Sequence, residues 1–114
     1  MIELSFGWPP KELSPNSRCH WSTKAKAAKK YKEDCLWICK ARDREQGRWP
    51  FLTHITVSFH PPSKRRADVD NMVASSKQLF DAVSEWLGID DSNFKIIPIK
   101  ADPVKNGAVK VCIR

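Results

Sequence analysis

The sequence lacks the features that would assign it at once to a membrane, secreted or repeat class. It has no internal repeat, no low-complexity segment and no apolar run close to the roughly 20 residues that a membrane-spanning helix needs. The first residues do not follow a signal-peptide pattern. These absences predict a soluble, cytoplasmic protein without a membrane partner.

The four cysteines lack the spacing that is typical of a zinc site. Because disulfides are uncommon in the cytoplasm, we expect reduced thiols. One hypothesis is a zinc-stabilised interaction domain, with the metal bound by Cys19, His20, Cys35 and Cys39. Cys35 and Cys39, however, lie on a predicted helix without the usual two-residue gap. The alternative is that the thiols are small buried hydrophobic groups.

Acidic residues are fewer than basic ones. Lys and Arg total 20 and Asp and Glu total 13, which gives a net charge of +7. Such an excess attracts polyanions. It is concentrated in three runs, which comprise Lys24, Lys26, Lys29, Lys30 and Lys32, then Lys40, Arg42, Arg44 and Arg48, and then Lys64, Arg65 and Arg66. Any one run is typical of a solvated helix face, but three runs together with five tryptophans favour a nucleic-acid partner.

With 114 residues, the chain is long enough for one domain, residues 1–114, and too short for two. Apolar periodicity predicts an α+β fold, with a mixed β-sheet of about four strands and two main helices packed on it. The predicted strands are Ile2 to Phe6, Thr53 to His60, Phe94 to Lys100 and Ala108 to Ile113, and the predicted helices run from Ser22 or Thr23 to about Lys40 and from Asp70 to Gly88, with a charged connector from Arg42 to Pro50. Pro98 predicts an edge strand or a bulge.

Two acidic residues, Asp68 and Asp70, follow the second predicted strand. If the backbone is extended there, period two places both carboxylates on one face and turns Val69 inward. Asp70 is also the predicted N-cap of the next helix. Lys77 and Asp81 lie seven and eleven residues further on, which returns them to about the same helical angle as Asp70. The sequence therefore predicts one polar stripe.

The turn after this helix adds the carboxylates of Asp90 and Asp91. Grouped carboxylates repel one another and need a cation, and hard oxygen ligands suit Mg²⁺ or Mn²⁺. Most of these acids also have a purely structural interpretation. Asp70 would be a helix cap, Asp81 would pair with Lys77, and Asp90 and Asp91 would form the turn, which leaves Asp68 unexplained.

A series of motifs in a fixed order covers nearly the whole chain. They are Trp8-Pro9-Pro10, Ser14-Pro15-Asn16 with Trp21, Asp68-Val69-Asp70-Asn71, Lys77-x-x-x-Asp81 and Asp90-Asp91. In these motifs the chain resembles the RusA-like endodeoxyribonucleases, the Holliday junction resolvases of bacteria and their prophages. The resemblance implies a homodimer, in a bacterial or phage-infected cell, that nicks opposed strands of a four-way DNA junction symmetrically.

The resemblance also implies roles for particular residues. Asp68, Asp70 and Asp91 would bind Mg²⁺, with Mn²⁺ as a substitute, and Lys77 would be the catalytic lysine. In the best-known pattern of the family this lysine follows the second Asp by four residues, where this chain has Ala74. Lys77 therefore lies about one helical turn further along the chain.

The residues expected to contact DNA are Asn16, Arg18, Lys64, Arg65, Arg66 and Asn71. Asp81 would orient Lys77, and Asp90 would lie next to the metal ligands without binding the ion itself. The loop that ends at Trp21 is either a plain connector or a phosphate-binding segment, in which Trp21 anchors the loop or stacks on a base. The rival interpretation of the whole chain is a non-catalytic nucleic-acid-binding or phage regulatory module.

Overall fold

Four strands form one mixed sheet in the computed structural model, which describes residues 2–42, 53–64 and 68–114. The strands are β1 (Ile2–Phe6), β2 (Thr53–His60), β3 (Phe94–Lys100) and β4 (Ala108–Ile113), arranged in the order β1-β4-β2-β3. β4 pairs antiparallel with both β1 and β2, while β2 and β3 are parallel. The α+β class and all four predicted strands are confirmed.

Three helices accompany the sheet: α1 (Trp21–Ala41), α2 (Val69–Ser75) and α3 (Lys77–Leu87). α1 packs against α3, and the Nζ of Lys32 lies 3.3 Å from a carboxylate oxygen of Glu85 between them. In the described ranges, no helix has both the length and the apolarity to cross a membrane.

The strands alternate between a buried face and an open face, as period two requires. Among the side chains that the structure describes, those on the buried face of β1, β4 and β2 are apolar, and they are Ile2, Leu4, Phe6, Val109, Val111, Ile113, Ile55, Val57 and Phe59. These side chains join those of α1, α2 and α3 in one hydrophobic core. β3 lies at one edge of the sheet, which confirms the first of the two alternatives predicted from Pro98, an edge strand.

The predicted cap of α1 was wrong by a few residues. The helix begins at Trp21, and the N-cap is His20, whose ring Nδ1 accepts a hydrogen bond from the backbone N–H of Ser22 at 3.2 Å. Ser22 and Thr23, the predicted caps, lie inside the first turn. Tyr31 ties the middle of this helix to the sheet, because its hydroxyl donates to the Gly7 carbonyl at 2.7 Å.

The single helix predicted from Asp70 to Gly88 is instead broken at Ser76, between α2 and α3. The hydroxyls of Ser75 and Ser76 donate to the carbonyls of Asn71 and Met72, at 2.7 and 2.9 Å. Such hydrogen bonds to the residue four positions back bend helices, and kinks occur at pairs of small residues that include serine. The backbone of Ser76 leaves the helical region, with φ −100° and ψ 14°.

The break changes what was predicted for the acids. The N-cap of α2 is Asp68, at φ −80° and ψ 135°, and Asp70 lies in the first helical turn. Val69 and Asp70 are therefore helical, so the extended geometry that would place two carboxylates on one face is wrong. Because α2 and α3 are separate helices, the predicted stripe from Asp70 to Lys77 does not follow one helix axis.

Two predicted features lie outside the described residues. They are the charged connector, of which residues 43–50 are not described, and the DNA contacts Arg65 and Arg66.

Candidate active site

A cleft of about 720 Å³ opens between the segment that follows β1 and the start of α2. It is lined by Trp8, Pro9, Pro10, Lys11, Ser14, Asn16, Phe59, Asp68, Asn71, Met72 and Ser75. Three of the sequence motifs therefore meet in one cavity, although more than 50 residues separate the first two from the third. The cleft is polar at its mouth and apolar at Phe59 and Met72, which are both buried.

Trp8 forms one wall of the cleft and is fixed by two neighbours. Its ring meets that of Phe59 edge to face, with centroids 6.4 Å apart and planes at 84°. On another side it lies against Gly107, where a Cβ atom would come within 2.8 Å of the Trp8 Cβ. Gly107 also has φ +73°, so two independent constraints favour glycine there. The turn between β3 and β4 thus holds this wall in place.

Hydrogen bonds between residues close in sequence position Ser14 and Asn16, which also line the cleft. The N–H of Ser14 donates to the Lys11 carbonyl at 3.1 Å, and the N–H of Ser17 donates to the Ser14 carbonyl at 3.0 Å. The Asn16 N–H contacts the Ser14 hydroxyl at 3.4 Å. These turns expose the Asn16 side chain, so its amide is available to a ligand.

Asp68 and Asn71 enter the cleft from the start of α2. The Asp68 carbonyl accepts the first hydrogen bond of that helix, from the Met72 N–H at 3.1 Å. Met72 is buried, so it anchors the first turn of α2 to the core. Asp68 and Asn71 therefore lie at the cleft because the helix begins there and Met72 packs into the core.

The remaining predicted site residues that the structure describes do not line the cleft. Asp70, Asp91, Arg18 and Lys64 are exposed elsewhere on the surface. Lys77 begins α3, where its Nζ lies 3.9 Å from a carboxylate oxygen of Asp81. The predicted pairing across one helical turn is confirmed, and an exposed pair of this kind contributes little stability.

Asp90 has a structural role that the sequence had offered as one alternative. Its side chain accepts from the Ser92 N–H at 2.9 Å and caps the short 3₁₀ helix Asp91–Asn93. The hydrogen bonds from the Ser92 backbone and side chain hold the pKa of the Asp90 carboxyl below its usual value. Asp91 is the first residue of that helix and is exposed.

The possible metal ligands are spread over the described part of the chain. Within residues 2–42, 53–64 and 68–114, no three His, Cys, Asp or Glu side chains come together closely enough to hold a metal ion. Asp68, Asp70 and Asp91 are thus donors of the right chemistry for Mg²⁺, but they are not gathered into one group. The residues of the hypothetical zinc site are not gathered into one group either, and these are Cys19, His20, Cys35 and Cys39.

Two of the thiols behave as core residues. Cys35 and Cys39 are buried on the inner face of α1, and burial raises the pKa of Cys35 to about 12 and that of Cys39 to about 11. The thiolate form that binds zinc is therefore disfavoured near neutral pH. Burial likewise raises the pKa of the neighbouring Tyr31 hydroxyl. This supports the interpretation of these cysteines as small hydrophobic groups.

Comparison with known proteins gives a relative along nearly the whole chain. An uncharacterized protein of Xylella fastidiosa is 35% identical to it over an alignment 121 positions long, which covers 99% of this chain and 76% of that protein. The chain belongs to the family of this Xylella protein. No family profile matches the sequence. Because the alignment covers 99% of the chain, it includes the segments on both sides of the cleft.

Sequence reasoning missed several residues of the cleft. None of the motifs includes the cleft residues Lys11, Phe59, Met72 and Ser75. They come together because of how β1, β2 and α2 pack. Lys11 and Met72 had a signal, because each directly follows one of the motifs.

Proposed function

We propose that the protein is a structure-specific endodeoxyribonuclease that hydrolyses phosphodiester bonds in branched DNA, with four-way junctions as its substrate class. The observation that carries this proposal is the convergence of three motifs in one cleft. These motifs carry the resemblance to the RusA-like nucleases, and residues of all three line the cavity. They are Trp8-Pro9-Pro10, the loop with Ser14 and Asn16, and the segment with Asp68 and Asn71.

The polar residues of the cleft suit a DNA backbone. Lys11 is exposed at the rim and supplies a positive charge to a phosphate, while the amides of Asn16 and Asn71 supply hydrogen-bond donors. The net charge of +7 draws the polyanion toward the protein. Affinity should therefore fall steeply as the salt concentration rises.

The acids would serve the reaction once DNA is bound. Mg²⁺ commonly takes only one or two carboxylates and completes its ligands with water and substrate phosphates. Asp68, which lines the cleft, and Asp70, in the first turn of α2, are the carboxylates that would hold it. When bound, such an ion supplies Lewis-acid chemistry and lowers the pKa of a bound water. Lys77 would stabilise negative charge on the phosphate, with Asp81 orienting its ammonium group.

The first test is cleavage of a labelled synthetic four-way junction, beside a linear duplex of the same arm sequences, in Mg²⁺, Mn²⁺ and EDTA. We expect paired, symmetric nicks in either metal, none in EDTA, and no cleavage of the duplex. Asp70→Asn should abolish cleavage and leave junction binding intact, whereas Glu33→Gln on α1 removes one charge outside the cleft and should cut normally. Cleavage by Asp70→Asn at the wild-type rate would remove that residue from the mechanism.

A second candidate is a non-catalytic DNA-binding module. Two observations favour it: the carboxylates are not gathered within the described residues, and Asp90 and Asp81 already have structural partners. Such a module would bind the junction with the same affinity in EDTA and in Mg²⁺, and would cut it in neither Mg²⁺ nor Mn²⁺.

A further inference from the structure

We infer that Trp21 is a stacking platform for an unpaired DNA base beside the cleft. The inference deepens the proposed function and rests on it in one respect, which is that the ligand is branched DNA. It assigns to Trp21 a contact with an unpaired base, which duplex DNA does not have. Four properties of Trp21 support it: the exposure of the indole, the way its ring is held, its place next to the cleft, and the surrounding charge.

Trp21 is the first residue of α1, and 76% of its surface is exposed. Trp37, on the same helix, is exposed to the same degree, at 75%. Neither indole packs against the hydrophobic core, although Trp8 and Trp86 do. Leaving so large an apolar ring in water forfeits the stabilisation that burial would give, so the exposed indoles do not serve the core.

The ring of Trp21 is held by its neighbour. The Nδ1 atom of His20 accepts from the Ser22 N–H at 3.2 Å and lies 2.7 Å from the Ser22 hydroxyl, so the imidazole is fixed against the start of the helix. The Trp21 ring lies beside that imidazole, with centroids 5.5 Å apart and planes inclined by 33°. A ring that is already oriented loses less conformational entropy when it binds.

The chain places Trp21 directly after the loop whose residues Ser14 and Asn16 line the cleft. The Cys19 sulfur lies 3.9 Å from the Glu12 carbonyl, so the loop that carries Ser14 and Asn16 closes on itself just before α1. Trp21 follows Cys19 by two residues, a span of at most about 7 Å. Lys11, which lines the cleft, directly precedes Glu12. Trp37 is 16 residues further along α1, about 24 Å away along the helix axis.

The charge around Trp21 selects the ligand. In the sequence on both sides of Trp21, from residue 11 to residue 26, the only acid is Glu12, and the basic residues are Lys11, Arg18, Lys24 and Lys26. An exposed aromatic ring among lysines and an arginine suits a nucleic acid, whose phosphates meet the cations while a base meets the ring. Bases in a duplex are already stacked on both faces. Only an unstacked base, as at a junction centre, a fork or a single strand, leaves a face for the indole.

The test measures the affinity for a DNA fork with two unpaired arms and for a blunt duplex of the same length, by fluorescence anisotropy in EDTA at fixed salt. Trp21→Ala should weaken fork binding by about 5-fold to about 150-fold and change duplex binding by less than about twofold. Trp21→Phe should keep most of the fork affinity because a ring remains. Trp37→Ala is the matched control, since it removes an equally exposed indole and should change neither affinity.

Three results would overturn the inference: wild-type fork affinity in Trp21→Ala, an equal loss for fork and duplex, or an equal loss in Trp37→Ala. Equal thermal unfolding of the variants excludes misfolding as the cause. Junction cleavage in Mg²⁺ then separates the two proposals. If the wild type cleaves junctions and Trp21→Ala binds the fork normally, the proposed function stands and the stacking platform is rejected. If Trp21→Ala loses fork binding alone and the wild type does not cleave, the stacking platform stands and the proposed function is rejected.

Discussion

The two acidic regions of the molecule differ in how far local structure explains them. Asp90 caps the 3₁₀ helix after α3, because its side chain accepts a hydrogen bond from the Ser92 N–H. Asp68 also begins a helix, but its side chain makes no capping hydrogen bond, and the residue lines the cleft. The same residue type, at the same kind of position, thus has a local role in one region and faces a cavity in the other.

This difference shows which acid to associate with chemistry. A carboxylate that completes a turn is explained by the backbone, so its presence says little about function. A carboxylate that lines a cavity together with Asn71 and Asn16 is placed to contact a ligand. Both regions resemble the nuclease motifs, and only the structure separates them.

The largest expected effect tests this separation directly. Asp68→Asn should reduce junction cleavage by at least about 100-fold, the scale on which the loss of one transition-state-stabilising group is measured. Asp90→Asn is the matched control, because it makes the same chemical change and asparagine is an equally good cap. Single-turnover cleavage rates would check both. A loss in Asp90→Asn as large as that in Asp68→Asn would break the comparison.

A second prediction concerns the wall of the cleft and uses two glycines with nearly the same backbone conformation. Gly88 has φ +71° and open space where a Cβ would be added, with no atom within 4 Å, whereas at Gly107 an added Cβ would meet Trp8. Gly88→Ala should therefore cost only the left-handed backbone term, about 1 to 2 kcal/mol. Gly107→Ala should cost about 1 to 3 kcal/mol more, because the Trp8 wall must move.

Urea unfolding measures both changes in the free energy of unfolding, and the cleavage assay adds a functional readout. Gly107→Ala should lower cleavage at a temperature where it remains folded, while Gly88→Ala should not. Equal losses of stability in the two variants would mean that Trp8 is not tightly packed against the turn.

The smallest expected effect is the pH dependence of the Asp90 cap. Hydrogen bonds to the ionised form lower its pKa in the folded protein, so the carboxylate stabilises the fold above the ordinary Asp pKa of about 3.9. That contribution is lost as the pH falls through the folded pKa. Asp90→Ala should thus lower Tm slightly at pH 7 and not at a pH below the folded pKa.

Asp90→Asn keeps the cap without a titrating group, so it should preserve Tm at pH 7 and lose less on acidification than the wild type. A Tm difference between Asp90→Ala and wild type that persists at low pH would show that the cap is not the source.

The predictions made from the helical periodicity failed where side-chain hydrogen bonds compete with the backbone. The apolar spacing from Val73 to Leu87 correctly indicated helix, but Ser75 and Ser76 bond back to the preceding turn and break it. The two consecutive serines were a sequence signal for a break in the helix, but apolar periodicity does not take serine hydrogen bonds into account. At His20 the prediction failed because a histidine ring took the capping position that the sequence had given to Ser22 or Thr23.

The sequence by itself determined the four strands, the burial of one face of β1, β2 and β4, the basic character of α1 and the positions of the motifs. These follow from local rules, because strand and helix geometry repeat every two or 3.6 residues and burial selects the apolar face. Only the tertiary structure decided that β4 lies between β1 and β2, and that Trp8, Asn16 and Asp68 share one cleft. Segments so far apart in the chain meet because of packing across the sheet and the contact of Trp8 with Gly107 and Phe59, and no short stretch of sequence encodes that packing.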